Sequence, residues 1–201
     1  MRCPRTATKR CLPDRWLVTD AARLPDPLAA AARLPRGAGI LFRHYEWPTT
    51  ERLRLAQRLS ALCRSRGLCF VVAGDARLAL GCSADGLHLP QGLLGRAAGI
   101  ARRHPRWLLT AAAHDAAAVA QAAKTGVDAV LISPVFPTAS HPGATGLGPV
   151  RFAMLADRAR RSGLAVYALG GMNGVTVRRL SHIPKNGTAA IAGMAADQAG
   201  R

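Results

Sequence analysis

Aromatic residues make up only 4% of the 201-residue chain, and 11 acidic residues face 28 basic ones, all but Lys9, Lys124 and Lys185 of them arginine. With so few rings, the core has to be built from Ala, Leu and Val. No apolar run is long enough to cross a bilayer, and Met1–Arg10 carries bases with no apolar stretch behind them. A membrane span and a secretory signal are therefore not expected, and the reading is a cytoplasmic protein. The five cysteines form an odd set without a C-x-x-C pair, which argues against a disulfide framework or a zinc ribbon and for reduced thiols filling the core. The formal charge of +17 would attract nucleic acid. The bases are scattered over several segments, however, without stacking aromatics or a recognisable binding module, so no nucleic-acid partner is expected and they read as a solvated basic exterior. In that reading Arg52, Arg54, Arg58, Arg64 and Arg66 all belong to the exterior.

Hydrophobic residues at 49% and charged residues at 19% describe a globular chain of one domain. Short β-rich apolar runs occur at Trp16–Thr19, Gly39–Arg43, Cys69–Ala73, Gly86–Leu89, Trp107–Ala111, Ala129–Ser133, Ala165–Leu169 and Thr188–Gly193. Helical patterns lie between most of them: Thr50–Arg66 with Leu55, Leu59 and Leu62 on one face, Asp75 capping a turn through Leu80, Gln91–Arg103, Asp115 capping Ala116–Lys124 before Gly126, Pro149–Arg161 and Asn173–Leu180. Strand then helix, eight times, predicts a single (β/α)8 TIM barrel over residues 14–201, with an open doubly wound sheet as the alternative of similar pattern. Residues 1–13 read as a basic, loosely held extension. The connection from Pro134 to Gly148 is far longer than an ordinary βα turn, as binding loops often are. The short tail after the last run leaves one flank open for a homodimer partner.

Ligands of such barrels bind at the C-terminal strand ends, which selects Arg43, His44, Gly74, Asp75, Gln91, His114, Thr138, Ser140, His141, Gly170, Gly171, Asn173 and Gly193. Gly170-Gly171-Met-Asn173 closes a strand and opens a helix. It is either a tight turn or an anion site of backbone N–H groups completed by Gly193. His114 beside a helix cap is either structural or a proton-exchanging group. Arg43 is either a surface base or a clamp for carboxylate or phosphate. His88, His104 and His182 show no partner pattern and read as structural or exposed, and no metal site is expected.

Taken in order, these motifs resemble the thiamine phosphate synthase and TenI (thiazole tautomerase) superfamily from about Arg15 to Met194. Trp16-Leu-Val-Thr-Asp20, Ile40-Leu-Phe-Arg43, Phe70–Leu80 followed by Ala84–Gln91, and above all Ser133-Pro-Val-Phe-Pro-Thr138 and Ala168-Leu-Gly-Gly-Met172 carry the resemblance. The synthase branch joins a pyrimidine diphosphate to a thiazole phosphate with Mg²⁺, using acidic stretches after the third and fourth strands. Here those stretches read Ala73-Gly74-Asp75 and Gln91-Gly92-Leu93, so Asp75 alone could serve as a metal ligand. Two cations of that branch are replaced by Tyr45 and His141. What persists is similar to the TenI-like branch, which needs no cofactor. The resemblance then implies a phosphorylated thiazole as ligand, with His114 as acid/base, Gly170, Gly171 and Gly193 holding phosphate, and Arg43 with Thr138, Ser140 and His141 binding the rest of the substrate. A divergent synthase with Mg²⁺ is the alternative, and a non-catalytic ligand-binding or scaffold barrel is a third.

Overall fold

In a computed structural model that describes residues 12–138 and 145–191, eight parallel strands close into a barrel in sequence order, β1-β2-β3-β4-β5-β6-β7-β8 with β8 pairing β1. The strands are β1 (Arg15–Val18), β2 (Gly39–Phe42), β3 (Cys69–Ala73), β4 (Gly86–Leu89), β5 (Leu108–Ala113), β6 (Ala129–Ile132), β7 (Ala165–Leu169) and β8 (Gly187–Ala190). The closed barrel, not the open sheet, is thus the architecture. The helices between them are α1 (Pro27–Ala32), α2 (Thr49–Arg66), α3 (Ala76–Gly81), α4 (Ala97–Arg103), α5 (Ala116–Thr125), α6 (Gly148–Arg161) and α7 (Gly174–Arg178). Much of the extension expected at residues 1–13, and the C-terminal end of the chain from residue 192, lie outside the described residues.

Local chemistry explains most boundaries. Asp26, Asp75 and Asp115 each accept a hydrogen bond from the N–H three residues on, at 2.9, 2.9 and 2.7 Å, and so start α1, α3 and α5. Gly67 and Gly126 end α2 and α5 in the left-handed conformation. The expected helix over Gln91–Arg103 divides into a 3₁₀ turn (Gln91–Arg96) and α4. The segment expected as a helix through Leu180 ends at Arg178. In α2 the buried stripe runs Arg52, Leu55, Ala56, Leu59, Ser60 and Cys63, so Cys63 rather than Leu62 completes it. Burial pushes the Cys63 and Cys82 thiols up to about 12 and about 11, as suits core filler.

Alternation along the strands separates two apolar layers. Outward residues such as Leu87, Leu89, Leu109 and Ala111 pack under the helices, while Trp16, Val18, Leu41, Val71, Leu131 and Tyr167 fill the barrel. Trp16 meets Tyr167 edge-on at 6.0 Å, and the Tyr167 hydroxyl donates to the Pro13 carbonyl at 2.8 Å, closing the bottom. A recurrent clip sets the register at this end. The residue before β4, β6 and β8 is Asp85, Asp128 or Asn186, and its side-chain oxygen accepts the N–H of Phe70, Leu109 or Val166 at 2.8 Å in each case. Its own N–H returns to the carbonyl of that same residue at 2.7–2.8 Å.

Because an amide oxygen performs this task at Asn186, charge is not required. Asp128→Asn should retain the wild-type urea midpoint. Asp128→Ala, which strands the Leu109 N–H, should lower stability by about 1–3 kcal/mol.

Candidate active site

The C-terminal ends of β7, β8, β1 and β2, with the loop after β6, enclose a cavity of about 280 Å³. Of the residues selected from sequence, Arg43, Thr138, Gly170, Gly171 and Asn173 line it, while Ser140, His141 and Gly193 lie outside the described residues. Arg23 and Ser133 line it too and were not selected. The strand-end rule reaches both: Ser133 closes the sixth run, and Arg23 follows the first.

The glycine pair is shaped by its neighbours as well as by its own backbone. Gly170 and Gly171 have φ of +94° and +64°. A Cβ on Gly170 would sit 2.7 Å from the Pro134 Cα, and one on Gly171 2.6 Å from the Pro137 carbonyl. The loop after β6 is pinned against them, with Val135 and Phe136 N–H donating to the Leu169 and Gly170 carbonyls at 2.9 and 3.1 Å. The N–H groups of Gly170, Gly171 and Met172 donate to no described residue. The helix that follows contributes less than its sequence suggested. Asn173 Oδ1 already accepts the Val175 and Thr176 N–H groups at 3.0 Å, so the available donors belong to the Gly-Gly-Met turn and not to the first turn of α7.

His114 stands exposed after β5, beside this cavity. Its Nδ1 lies 2.6 Å from the Ser133 carbonyl and 3.3 Å from the Ser133 hydroxyl. A carbonyl can only accept, so Nδ1 carries the proton and Nε2 of the neutral ring keeps its lone pair. Gln91 Oε1 accepts the His114 N–H at 3.1 Å while its amide donates to Asp115 at 3.4 Å, which ties the ends of β4 and β5 together.

The other half of the mouth is closed by a buried cation. Arg52 is 9% exposed and leaves the expected solvated exterior: Nε donates to the Arg43 carbonyl (3.1 Å), Nη2 to the Ala73 carbonyl (3.1 Å) and Nη1 to Asp75 (3.4 Å). Its position on the α2 stripe, three and seven residues before Leu55 and Leu59, was the signal. Tyr45 lies between Arg43 and Arg52, 5.6 and 5.3 Å from their guanidinium carbons, and closes over Gly74. His44 is buried against Phe42 with Nδ1 on the Thr19 hydroxyl at 2.9 Å, a structural role.

His88 also has a partner that sequence did not suggest. It points into the barrel, and its Nδ1 meets the Thr110 hydroxyl at 2.9 Å. Burial, reinforced by Arg43 and His114, pushes the imidazole down to about 3.

A Mg²⁺ ion would need several hard oxygen ligands. One oxygen of Asp75 caps α3 and the other faces Arg52. No group of three His, Cys, Asp or Glu gathers among the described residues. The residues present do not fit the ion. No helix among the described residues is long and apolar enough to cross a membrane.

Residues 16–196 match the family model described as thiamine monophosphate synthase. The chain belongs to that family. It is 35% identical over 174 residues to a thiamine-phosphate synthase of Mycobacterium sp. (strain JLS), covering 79% of this chain and 74% of that one. It is 30% identical over 156 residues to the Bacillus velezensis (strain DSM 23117 / BGSC 10A6 / LMG 26770 / FZB42) thiamine-phosphate synthase, covering 75% and 67%. Among solved structures, thiamine phosphate pyrophosphorylase from Pyrococcus furiosus superposes with a TM-score of 0.75 at 22% identity, over 90% of this chain and 86% of that one. A citrate synthase, SbnG, also superposes, at 0.63 and 13% identity over 90% and 87%, so the barrel alone does not select a reaction.

The buried His88 makes stability depend on pH. Below about pH 6.5 the unfolded chain binds a proton that the folded chain refuses until about pH 3, so stability falls as pH is lowered through that window, by at most about 1.4 kcal/mol per unit. Urea unfolding of His88→Gln between pH 7 and 4 should show a shallower decline than the wild type.

Proposed function

We propose that the protein binds a phosphorylated thiazole in the cavity at the barrel mouth and tautomerises it by proton transfer, without a metal ion. The phosphate would rest on the Gly170, Gly171 and Met172 N–H groups. Gly193 would complete that phosphate site, and Arg43 and Thr138, with Ser140 and His141, would hold the polar group at the other end of the ligand. His114 Nε2 would take a proton from one ring position and return it at another, so no atom leaves and no charge is transferred to a cofactor. The observation that carries this reading is the hydrogen bond from His114 Nδ1 to the Ser133 carbonyl, 2.6 Å long. It supports a fixed tautomer with a basic nitrogen available beside a residue of the cavity wall.

The transferase reading, in which a pyrimidine diphosphate and a thiazole phosphate are joined, is favoured by the names of the relatives, which are thiamine-phosphate synthases. Against it stand the engagement of both Asp75 oxygens and the neutral Gly74, Gly92 and Leu93 at the neighbouring strand ends. Both readings share the thiazole phosphate as ligand and differ in the need for a divalent ion.

Turnover of a carboxythiazole phosphate should survive EDTA. It should fall by about 10²–10⁴ in His114→Ala with little change in ligand affinity. Formation of thiamine phosphate from both substrates, abolished by EDTA and restored by Mg²⁺, would establish the transferase instead. Binding without turnover in either assay would leave a ligand-binding barrel.

A further inference from the structure

Among the described residues, the cavity wall carries two guanidinium groups, Arg23 and Arg43, and no acidic side chain. Backbone N–H groups suffice to hold a phosphate ester but leave its charge uncompensated. A second arginine therefore needs a reason beyond the clamp already assigned to Arg43.

Arg23 is built into place by the turn after β1. Asp20 Oδ1 accepts the N–H groups of Ala22 and Arg23 at 3.2 and 3.0 Å, and Oδ2 holds Arg23 Nη2 at 2.6 Å. The Arg23 guanidinium and its charge hold the Asp20 carboxyl below the usual carboxylate range. The next element is tied to the same turn, because the Arg43 N–H donates to the Thr19 hydroxyl at 3.0 Å. An arginine with 32% of its side chain exposed would ordinarily sample many rotamers. Here one edge is fixed by a short ion pair, and the group still lines the cavity.

Strand order tells the two arginines apart. Around the barrel the sequence of neighbours is β7, β8, β1, β2. The Gly170–Met172 turn follows β7, Arg23 follows β1, and Arg43 follows β2. Arg23 is thus the cation nearer in strand order to the glycine turn, and Arg43 faces the far part of the ligand. From this geometry we infer that Arg23 is a ligand-binding residue that neutralises the phosphate group, with Asp20 as the residue that positions it. The cavity is then selective for a ligand bearing a phosphate at one end and a second polar or anionic group at the other. A planar guanidinium held at one edge suits a phosphate better than a mobile lysine ammonium would.

This inference rests on the proposed occupancy of the cavity by a phosphorylated thiazole. Calorimetry with thiazole phosphate, carboxythiazole phosphate, inorganic phosphate and the unphosphorylated thiazole alcohol separates the two claims. Arg23→Gln should weaken binding of both phosphate esters by about 10- to 100-fold and leave binding of the alcohol unchanged, with urea midpoints confirming that the variant is folded. Asp20→Asn, which keeps the guanidinium and loosens its anchor, should give a smaller loss for the same two ligands, and Arg23→Lys an intermediate one. Arg43→Gln should instead affect carboxythiazole phosphate more than thiazole phosphate. Wild-type affinity for both esters in Arg23→Gln would overturn the inference while leaving the proposed function standing. Equal loss for the alcohol and the esters would also overturn it, by making Arg23 a structural residue. Failure of the wild type to bind any phosphorylated probe would overturn both.

Discussion

The reciprocal clips at Asp85, Asp128 and Asn186 are the constraint on which the rest of this barrel depends. Side chains alternate in and out along a strand, so a slip of one residue would exchange the barrel interior with the helix-facing layer. Each clip fastens the start of an even-numbered strand to the start of its odd-numbered neighbour by two hydrogen bonds about 2.8 Å long. They sit at the end of the barrel opposite the candidate site, where their hydrogen bonds do not compete with chemistry. With the register fixed there, His88 and Thr110 fall inside the barrel, and Ser133 and His114 arrive together at the other end. The site is therefore positioned by bonds made at the opposite end of four- to six-residue strands.

The mouth is asymmetric, and one buried cation is the reason. Arg52 satisfies two strand-end carbonyls and engages Asp75, while Tyr45 spans Arg43 and Arg52 above Gly74. Exposing those carbonyls without a donor would cost about 1–3 kcal/mol each, so the arrangement is self-reinforcing. It engages the Asp75 carboxylate, the residue that a divalent-ion site at these strand ends would need. The opposite half, from β5 through β8 to β1, carries the Gly-Gly-Met N–H groups, the His114 Nε2 acceptor and Arg23, and Arg43 meets it from the end of β2.

Much of this was legible in sequence where one physical signal dominated. β3, β4 and β7 begin and end where their apolar runs do, and the aspartates capping α3 and α5 stand immediately before the helices they start. The helix Pro27–Ala32 was missed because Pro-Leu-Ala-Ala-Ala-Ala has no polar face to reveal a period, although Asp26 caps it. β8 begins one residue before the expected Thr188 and its ladder ends at Ala190, while residues 192 and 193 of the expected run lie outside the described residues. Arg52 was assigned to the surface by its charge, yet its spacing from Leu55, Leu59 and Cys63 put it on the buried stripe. Periodicity should have outweighed residue type there. Asp85, Asp128 and Asn186 were also visible as a polar residue before β4, β6 and β8, but a hydrogen bond to a backbone N–H 15 to 20 residues away in the chain has no local signature. The same holds for His88, whose partner Thr110 is one strand over and 22 residues on.

Family membership and reaction are separable in this molecule because the features that bear on each lie at different parts of the barrel mouth. At the β7 turn, close packing of Gly170 and Gly171 against Pro134, Phe136 and Pro137 leaves no room for side chains on the proposed phosphate anchor. The choice of reaction falls instead on the strand ends of β2, β3 and β4, where a diphosphate and its metal would have to be accommodated. Changing Gly74 alone would not restore such a site, because the Asp75 carboxylate beside it would still face Arg52. Arg52 would have to change as well, and removing it exposes the Arg43 and Ala73 carbonyls that it now satisfies. The neutral half of the mouth is thus locked by the packing of the fold itself, which is why it, rather than the phosphate anchor, carries the information about mechanism.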